Sequence, residues 1–476
     1  MFFNSFNFIG FFLIVLFLLS VGRLVGRSVT IRNVILLVCS YWFYGAFNVG
    51  FTVILAFVTT VNYLAGKFII NTNNLKNRNR LLAFTVVLSL LPLIFYKYAF
   101  FLCKSFNDIL HLELSFELLD GLILPVGISF FTFQALSYTI DIYRGKIAEK
   151  TSFLDFALFV SFFPTILSGP IEKARNLLPQ IQRYYFPTCS DVVQGICIFI
   201  WGLFKKIIIA DRLAYYVDWA YDSAQYESGL TLAVAAIFYS IQIYCDFSGY
   251  SDMALGVAKA LGFNVTKNFH QPYFSRTIKE FWHKWHIALT SWFTEYVYFS
   301  LGGSRVKSKI RWIINISAIF ILSGIWHGAA WNYIVWGILH TLYYLSEHFL
   351  GFQNKDIKWN RLTSVLSSLW LFLLVTIAWI FFRVETFDGA LYILNKIFCE
   401  FSGGFSMGAS SFTFATTILM LIIFISYEYM IRYKRIIFDV EGYDHTIVAN
   451  IIAVIPMLLL MGMFGRSSDS FVYFQF

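Results

Sequence analysis

The segment FNFIGFFLIVLFLLSVG, at residues 6–22, carries no charged side chain. Its length approaches the ~20 residues that an α-helix needs to cross the hydrocarbon core of a bilayer. Further apolar stretches follow along the chain, centred on residues 31–48, 50–70, 81–103, 121–140, 152–170, 191–217, 229–246, 309–326, 329–349, 364–382, 411–431 and 446–464. We therefore predict an all-α polytopic membrane protein with about 11–13 transmembrane or re-entrant helices, in which residues 1–476 form a single integral-membrane domain.

The composition supports this class of protein. Of the 476 residues, 58% are hydrophobic, 20% are aromatic and 13% are charged, whereas about 25% of a typical soluble domain is charged. These values exclude a soluble globular protein and a disordered chain. The six cysteines are scattered without CxxC pairs, so we interpret them as small buried apolar residues. Continuous apolar runs exclude an outer-membrane β-barrel, whose strands alternate in polarity over ~10 residues.

The net charge of +9 comes mostly from basic residues in the short loops between apolar stretches. Because such loops usually lie in the cytoplasm, we attribute this charge to membrane orientation and predict no nucleic-acid partner. Basic loops flank residues 152–170, a stretch that contains the helix breakers Pro164 and Gly169-Pro170. We therefore predict that this segment is re-entrant, that the chain has about twelve spans, and that both termini lie outside.

Three clusters of polar residues within or beside apolar stretches could carry chemistry, since such residues are costly in a membrane. The first extends from residue 239 to residue 252 and includes Gln242, Tyr244, Asp246, Ser248 and Asp252. Here we predict that the apolar helix ends and that Gly249 breaks the chain. An alternative is that Asp246 and Asp252 only cap the next helix.

The second cluster is the segment from Glu280 to Phe293. Helical spacing would place four residues on one apolar face, with Glu280 and Lys284 opposite: Trp282, Trp285, His286 and Leu289. His286 on such a face is a candidate catalytic residue. The alternatives are a core histidine and an ordinary helix at the membrane interface.

The third cluster, from Ser323 to Asn332, places His327 between Gly324 and Gly328, beside Trp326. An imidazole can hold or release a proton near neutral pH, which suits a general base. The alternative is a histidine that hydrogen-bonds to a neighbouring helix. His283, His286 and His327 could supply three nitrogens to zinc, but the HExxH pattern is absent and Lys284 disfavours a dication, so we predict no metal.

Several stretches, taken in order, resemble the membrane-bound O-acyltransferase (MBOAT) family, and within it the bacterial alginate O-acetylation branch. The resemblance spans nearly the whole chain. It rests on QALSYTIDIYRG (134–145), FFPTILSGP (162–170), WGLFKK (201–206), YCDFSGYSD (244–252), NFHQPY (268–273), the block 282–292, the segment 323–331 and the terminal FVYFQF (471–476).

This resemblance implies a funnel-like helical body with a central tunnel in which donor and acceptor meet. His327 matches the characteristic histidine of the family and His286 the second one. They would serve as general base and as the group that aligns a reactant or stabilises the oxyanion. The residues that we expect to line the tunnel or to bind substrate are Gln242, Tyr244, Asp246, Ser248, Trp282, Trp285, Trp326 and Asn332.

The resemblance also implies an O-acetyltransferase in the bacterial inner (cytoplasmic) membrane that moves acetyl groups outward to a cell-surface polysaccharide. The co-substrate would be acetyl-CoA or another acyl thioester, with no bound cofactor. The expected partners are membrane lipids and an extracytoplasmic SGNH-type acetyltransferase. Two alternatives remain: D-alanyl transfer from a carrier protein to teichoic acid, and a secondary transporter or flippase with Asp246 and segment 152–170 at its substrate site. No paired repeats support a transporter.

Overall fold

The structure, a computed structural model of the chain, describes residues 1–111, 119, 121–147, 151–354, 359–400, 403–432, 447–466 and 471. Every regular element in this part of the chain is helical, which confirms the predicted all-α class. Most of the terminal stretch 471–476 used in the sequence analysis lies outside it. So do several loop residues that bear on the predicted orientation, namely most of the acidic loop 108–120, Lys150, Lys355, Lys358, Lys434 and Arg435.

The described α-helices are α1 (Phe6–Val25), α2 (Val29–Gly45), α3 (Val49–Asn71), α4 (Leu75–Leu93), α5 (Ala99–Leu110), α6 (Ile128–Tyr143), α7 (Phe153–Ser161), α8 (Ala174–Gln182), α9 (Cys189–Phe204), α10 (Asp211–Asp222), α11 (Gly229–Ala260), α12 (Ile278–Trp282), α13 (Ile287–Trp292), α14 (Lys309–His327), α15 (Trp331–Phe349), α16 (Arg361–Arg383), α17 (Phe387–Cys399), α18 (Ser411–Arg432) and α19 (Ile447–Phe464). Single π-helical turns join α4 to α5 (Ile94–Tyr98), join α9 to α10 (Lys205–Ala210) and follow α13 (Phe293–Tyr298). Two short 3-10 helices cover Pro272–Phe274 and Gly303–Arg305.

Eight helical stretches among the described residues are long and apolar enough to cross a membrane. They are Phe6–Val25, Val49–Asn71, Leu75–Leu110, Cys189–Asp222, Gly229–Ala260, Lys309–His327, Arg361–Arg383 and Ser411–Arg432. The protein is therefore a multi-pass membrane protein. The predicted number of spans and their orientation stay predictions.

One compact unit consists of residues 1–196 and 253–266, and it contains the segment that we predict to be re-entrant. Helix α7 begins at the Ser152 cap and ends at Ser161. At 1.5 Å per residue its nine residues are too short for a ~30 Å hydrocarbon core. The chain then turns through buried residues up to Pro170. The predicted helix break is therefore confirmed, whereas the membrane side of its two ends stays a prediction.

The other unit consists of residues 197–252 and 267–476. Its helices α14 and α15 are joined by only three residues and pack along each other. Two glycines allow this approach: a Cβ on Gly324 would lie 2.1 Å from the Tyr333 carbonyl oxygen, and one on Gly337 would lie 2.5 Å from that of Phe320. Small residues of this kind commonly bring membrane helices together.

Helix α11 contradicts the prediction that an apolar helix ends near residue 246. It continues without interruption to Ala260, so Gly249 is not a break and Asp246 and Asp252 are not caps. Gly249 serves close packing instead, because a Cβ there would lie 2.7 Å from the Gly202 carbonyl oxygen.

The segment from Glu280 to Phe293 is also different from the single helix that we predict. Helix α12 ends at Trp282, and α13 begins only at Ile287, with His286 as its N-cap residue. The apolar residues still face the interior, because Trp282, Trp285 and His286 are all buried. Their shared burial results from a turn between two short helices and not from one helical stripe.

Candidate active site

His286 occupies a left-handed backbone conformation with φ of 44°, which costs a residue with a Cβ roughly 1–2 kcal/mol. Asn268 holds this turn in place. Its backbone oxygen accepts from the Ile287 N–H at 2.9 Å, and its side-chain Oδ1 accepts from the Ala288 N–H at 3.1 Å. Strained backbone of this kind persists only where its surroundings fix it, and it is concentrated at functional sites.

The His286 imidazole is 1% exposed. Its Nδ1 lies 3.3 Å from Asn268 Oδ1, and because a carbonyl oxygen only accepts, Nδ1 carries the hydrogen and the lone pair is on Nε2. Burial lowers the pKa of His286 to about 3, so the ring is neutral at physiological pH. Phe247 of α11 packs edge-on against it, with ring centroids 4.7 Å apart.

His327 is the last residue of α14 and is 4% exposed. Its ring contacts those of Trp326, Trp336 and Phe382, at centroid distances of 4.8, 5.2 and 5.0 Å. The Trp326 ring also lies 5.8 Å from that of His286. The structure thus brings the two predicted histidines to the same indole, although 40 residues separate them in the sequence.

The aromatic candidates Trp282, Trp285 and Tyr244 belong to the network of rings that continues from this pair. Trp285 contacts Tyr244 at 6.1 Å and Trp379 at 5.0 Å between ring centroids, and the Tyr244 hydroxyl donates to Glu428 at 2.9 Å. Trp282 contacts Trp336 at 5.6 Å. The two histidines are therefore enclosed in a largely aromatic, water-poor environment.

Residues that the sequence analysis missed complete this environment: Phe247, Asn268, Trp336, His340 and Phe382. The spacing of residues in the sequence could have indicated two of them. Trp336 and His340 follow Asn332 at successive four-residue intervals, so the three residues share one face of α15. Asn268 and Phe382 are distant in sequence from both histidines and give no such signal.

The acidic cluster has lysine partners. Lys206 Nζ lies 2.7 Å from Asp246 and 2.7 Å from Asp211, and Lys205 pairs with Asp252. All five side chains are at most 7% exposed. The sequence could have indicated these ion pairs, because Lys205 and Lys206 are adjacent inside an apolar run and a buried carboxylate requires a compensating charge.

The remaining candidates have different environments. Asn332 donates from Nδ2 to the Val384 backbone oxygen at 2.5 Å, which ties the start of α15 to the end of α16. Gln242 and Ser248 are buried on α11. Within the described chain, neither Gln242 Oε1 nor Ser248 Oγ has a hydrogen-bond partner.

A cavity of about 730 Å³ lies beside α14. Exposed Lys279, Lys307 and Lys309 line one part of it. Beyond Lys309, the α14 residues that line it are Trp312, Ile316, Ile319, Phe320 and Ser323. Trp312 and Ile319 are half-buried, whereas Ile316, Phe320 and Ser323 are buried. His327 lies one helical turn beyond Ser323.

His283 also lines this cavity and is exposed, whereas His286 is buried. Their i, i+3 spacing therefore does not give them a common environment. Among the described residues, no group of three histidine, cysteine or acidic side chains is arranged to hold a metal ion.

The family model of the membrane-bound O-acyltransferases matches residues 36–382. The chain belongs to this family. The match includes His286, His327 and every residue that lines the cavity.

Relatives of this O-acyltransferase cover most of its length. The probable alginate O-acetylase AlgI of Pseudomonas aeruginosa is 38% identical over 77% of the chain and 70% of its own length. The peptidoglycan O-acetyltransferase of Helicobacter pylori is 34% identical over 76% of the chain and 72% of its own length. The teichoic acid D-alanyltransferase of Bacillus subtilis is 30% identical over 56% of the chain and 70% of its own length. The protein is an acyltransferase, and family membership favours this function over the transporter alternative.

Proposed function

We propose that this O-acyltransferase takes acetyl groups from acetyl-CoA, or from another short acyl thioester, in the bacterial cytoplasm. It passes them across the inner membrane for O-acetylation of a cell-surface polysaccharide. Relatives named as O-acetylases or O-acetyltransferases of alginate and peptidoglycan support this assignment. The observation that carries it is the lysine-lined cavity that leads towards His327.

The cavity fits an anionic thioester with an apolar end. Lys279, Lys307 and Lys309 belong to the basic loop that we predict to be cytoplasmic, and they would attract the phosphates of CoA. The lining of α14 extends from Lys309 to Ser323, which is roughly 21 Å at 1.5 Å per residue. The acyl end of a donor bound along this face would lie near His327.

His327 would act as the general base. As the oxygen of an acceptor hydroxyl attacks the thioester carbonyl carbon, the imidazole takes the hydroxyl proton. The carbon–sulfur bond then breaks, and the proton returns to the departing thiolate, which leaves as CoA. His286 is neutral, and its Nε2 lone pair would align a reactant by accepting a hydrogen bond from a hydroxyl. The other role implied by the resemblance, stabilising the oxyanion, does not fit this tautomer, because its single N–H faces Asn268. The surrounding aromatic rings exclude the water that would hydrolyse the thioester.

The acetyl group would then reach its polysaccharide through an extracytoplasmic SGNH-type acetyltransferase, and membrane lipids would surround the helices. D-alanyl transfer from a carrier protein to teichoic acid is the second candidate. The relative with that name matches 56% of the chain, whereas the two O-acetylating relatives match 77% and 76%. This difference favours acetyl transfer.

The test is CoA release from acetyl-CoA by the purified protein in lipid nanodiscs, with a hydroxyl acceptor present. We expect turnover by the wild type and a decrease of at least ~10²-fold for His327→Ala, the loss expected when a general base is removed. The matched control is His270→Ala, because His270 lies in the same unit and its side chain is exposed. Wild-type turnover by a well-folded His327→Ala protein would contradict the assignment.

A further inference from the structure

Three packed aromatic side chains, one of which lines the cavity, contain buried nitrogen atoms without a hydrogen-bond partner among the described residues. Within the described chain, Trp282 Nε1, Trp336 Nε1 and both ring nitrogens of His340 lack a hydrogen-bond partner. The three side chains are 8%, 0% and 0% exposed. Leaving a buried donor or acceptor unpaired costs about 1–3 kcal/mol each, so four such atoms in one place require an explanation.

These atoms belong to a single cluster. The ring centroids of Trp282 and Trp336 are 5.6 Å apart, those of Trp282 and His340 are 5.0 Å apart, and those of Trp336 and His340 are 4.7 Å apart. The cluster therefore concentrates hydrogen-bonding capacity at one point of an otherwise apolar interior.

The cluster lies between the two parts of the proposed reaction path. Trp282 lines the donor cavity, and Trp336 contacts His327 at a centroid distance of 5.2 Å. Because Trp282 borders both the cavity and His340, movement of its ring would open the cluster to a donor in the cavity. An acyl group that reached this point would be adjacent to the proposed base.

The hydrogen-bonding groups of the cluster indicate which kind of ligand atom it would bind. Each indole supplies one N–H donor, and a neutral imidazole supplies one donor and one acceptor. A carbonyl oxygen has two lone pairs, and the oxyanion that forms from it has three. Three N–H donors therefore suit this oxygen better as negative charge develops on it.

We propose that Trp282, Trp336 and His340 bind the carbonyl oxygen of the thioester donor. The inference rests on the proposed function, since it assigns a site to that donor. When the acceptor oxygen bonds to the carbonyl carbon, the same three rings would hold the resulting oxyanion until the carbon–sulfur bond breaks and the carbonyl re-forms. His340, Trp282 and Trp336 would thus touch the reacting group directly.

The test compares binding of acetyl-CoA with binding of S-ethyl-CoA, a thioether of similar shape without the carbonyl oxygen. For the wild type in nanodiscs we expect acetyl-CoA to bind about 5- to 100-fold more tightly. His340→Phe should bring the ratio of the two affinities close to one, and its melting temperature should equal or exceed that of the wild type because unpaired buried nitrogens have been removed. Trp282→Phe is the second variant and should lower the ratio as well.

The matched control is Trp379→Phe. Trp379 contacts Trp336 at 5.8 Å between ring centroids, but its Nε1 already donates to the Tyr273 hydroxyl at 3.2 Å. This variant should keep the wild-type affinity ratio and melt at a lower temperature. Equal affinities for the two compounds in the wild type would overturn this inference but leave the proposed function standing. An unchanged ratio of the two affinities in both His340→Phe and Trp282→Phe would do the same. Failure of the wild type to bind either compound would overturn the proposed donor and the inference with it.

Discussion

At the scale of single residues, the turn at His286 depends on one amide side chain. Asn268 Oδ1 accepts from the Ala288 N–H and lies 3.3 Å from His286 Nδ1. We expect Asn268→Ala to reduce acyl transfer about 10- to 100-fold, the usual effect of removing a group that orients a functional histidine, and to lower the melting temperature. CoA release and thermal unfolding would measure the two effects.

Asn268→Asp is the companion variant. It keeps the acceptor oxygen for Ala288 but places a negative charge beside His286, which raises the pKa of that imidazole. Structure and stability near neutral pH should therefore recover, while the acid limb of the pH–activity profile shifts to higher pH. An Asn268→Ala protein with full activity would show that His286 needs no such support.

The buried neutral state of His286 predicts a pH dependence of stability. Its pKa is about 3 in the folded protein and about 6.5 when unfolded. Between these values the unfolded state binds the extra proton, so stability decreases as pH falls below 6.5. At pH 4.5 the loss is about 3 kcal/mol. His286→Gln should flatten the decrease in melting temperature between pH 7 and 4.5, whereas His270→Gln should leave it as steep as in the wild type.

The identity of the two histidines could be predicted from sequence because each lies in a recognisable local motif. The conformation of His286 could not, since the spacing of Trp282, Trp285 and Leu289 fits a continuous helix. The left-handed turn is imposed by Asn268, which is 18 residues away. Likewise, the role of His340 depends on ring contacts with helices distant in sequence.

At the scale of helices, close packing depends on glycines that periodicity does not reveal. A Cβ on Gly249 would lie 2.7 Å from the Gly202 carbonyl oxygen. We expect Gly249→Ala to destabilise the protein by about 1–3 kcal/mol, the typical cost of overpacking. Gly10→Ala is the control, because nothing lies within 4 Å of a Cβ there and alanine favours the helix by up to ~1 kcal/mol. Equal melting temperatures for the two variants would contradict this account.

The continuation of α11 past Asp246 has an electrostatic basis. Lys205 compensates Asp252 and Lys206 compensates Asp246, so the carboxylates can lie inside a helix instead of ending it. We expect Asp252→Asn to cost about 3–5 kcal/mol because it leaves the Lys205 charge buried, and the double variant Lys205→Met/Asp252→Leu to recover most of that loss. Thermal unfolding of the single and double variants measures this coupling, and additive losses would rule it out.

At the scale of the whole molecule, the hydropathy of the chain predicted the class of protein, because bilayer thickness fixes helix length. Each of the eight described helical stretches long enough to span a membrane coincides with a predicted apolar stretch. The helix count was less predictable, since α7 and α12 are too short to be recognised by hydropathy. Orientation is tested by cysteine labelling in a background without native cysteines. Lys76→Cys and Lys307→Cys should be inaccessible to an impermeant thiol reagent added outside, and Glu227→Cys should be labelled.

Permeabilised cells are the control, since all three positions should then react. Cysteines placed at Lys150 and Gln180 test the re-entrant segment and should behave alike. Labelling of these two positions from opposite sides would mean that the segment crosses the membrane.

The ion pairs of Lys205 with Asp252 and of Lys206 with Asp246 also constrain how this protein is made. A lysine or aspartate at the centre of a lone helix raises the free energy of bilayer insertion by about 2.5–3.5 kcal/mol. The stretch Cys189–Asp222 carries both lysines, and Gly229–Ala260 carries both partners. Only six residues, 223–228, connect them. We therefore expect these two helices to enter the lipid together, as a hairpin whose charges have already paired. A nascent chain that ends between them should insert less readily, because its buried lysines lack these partners.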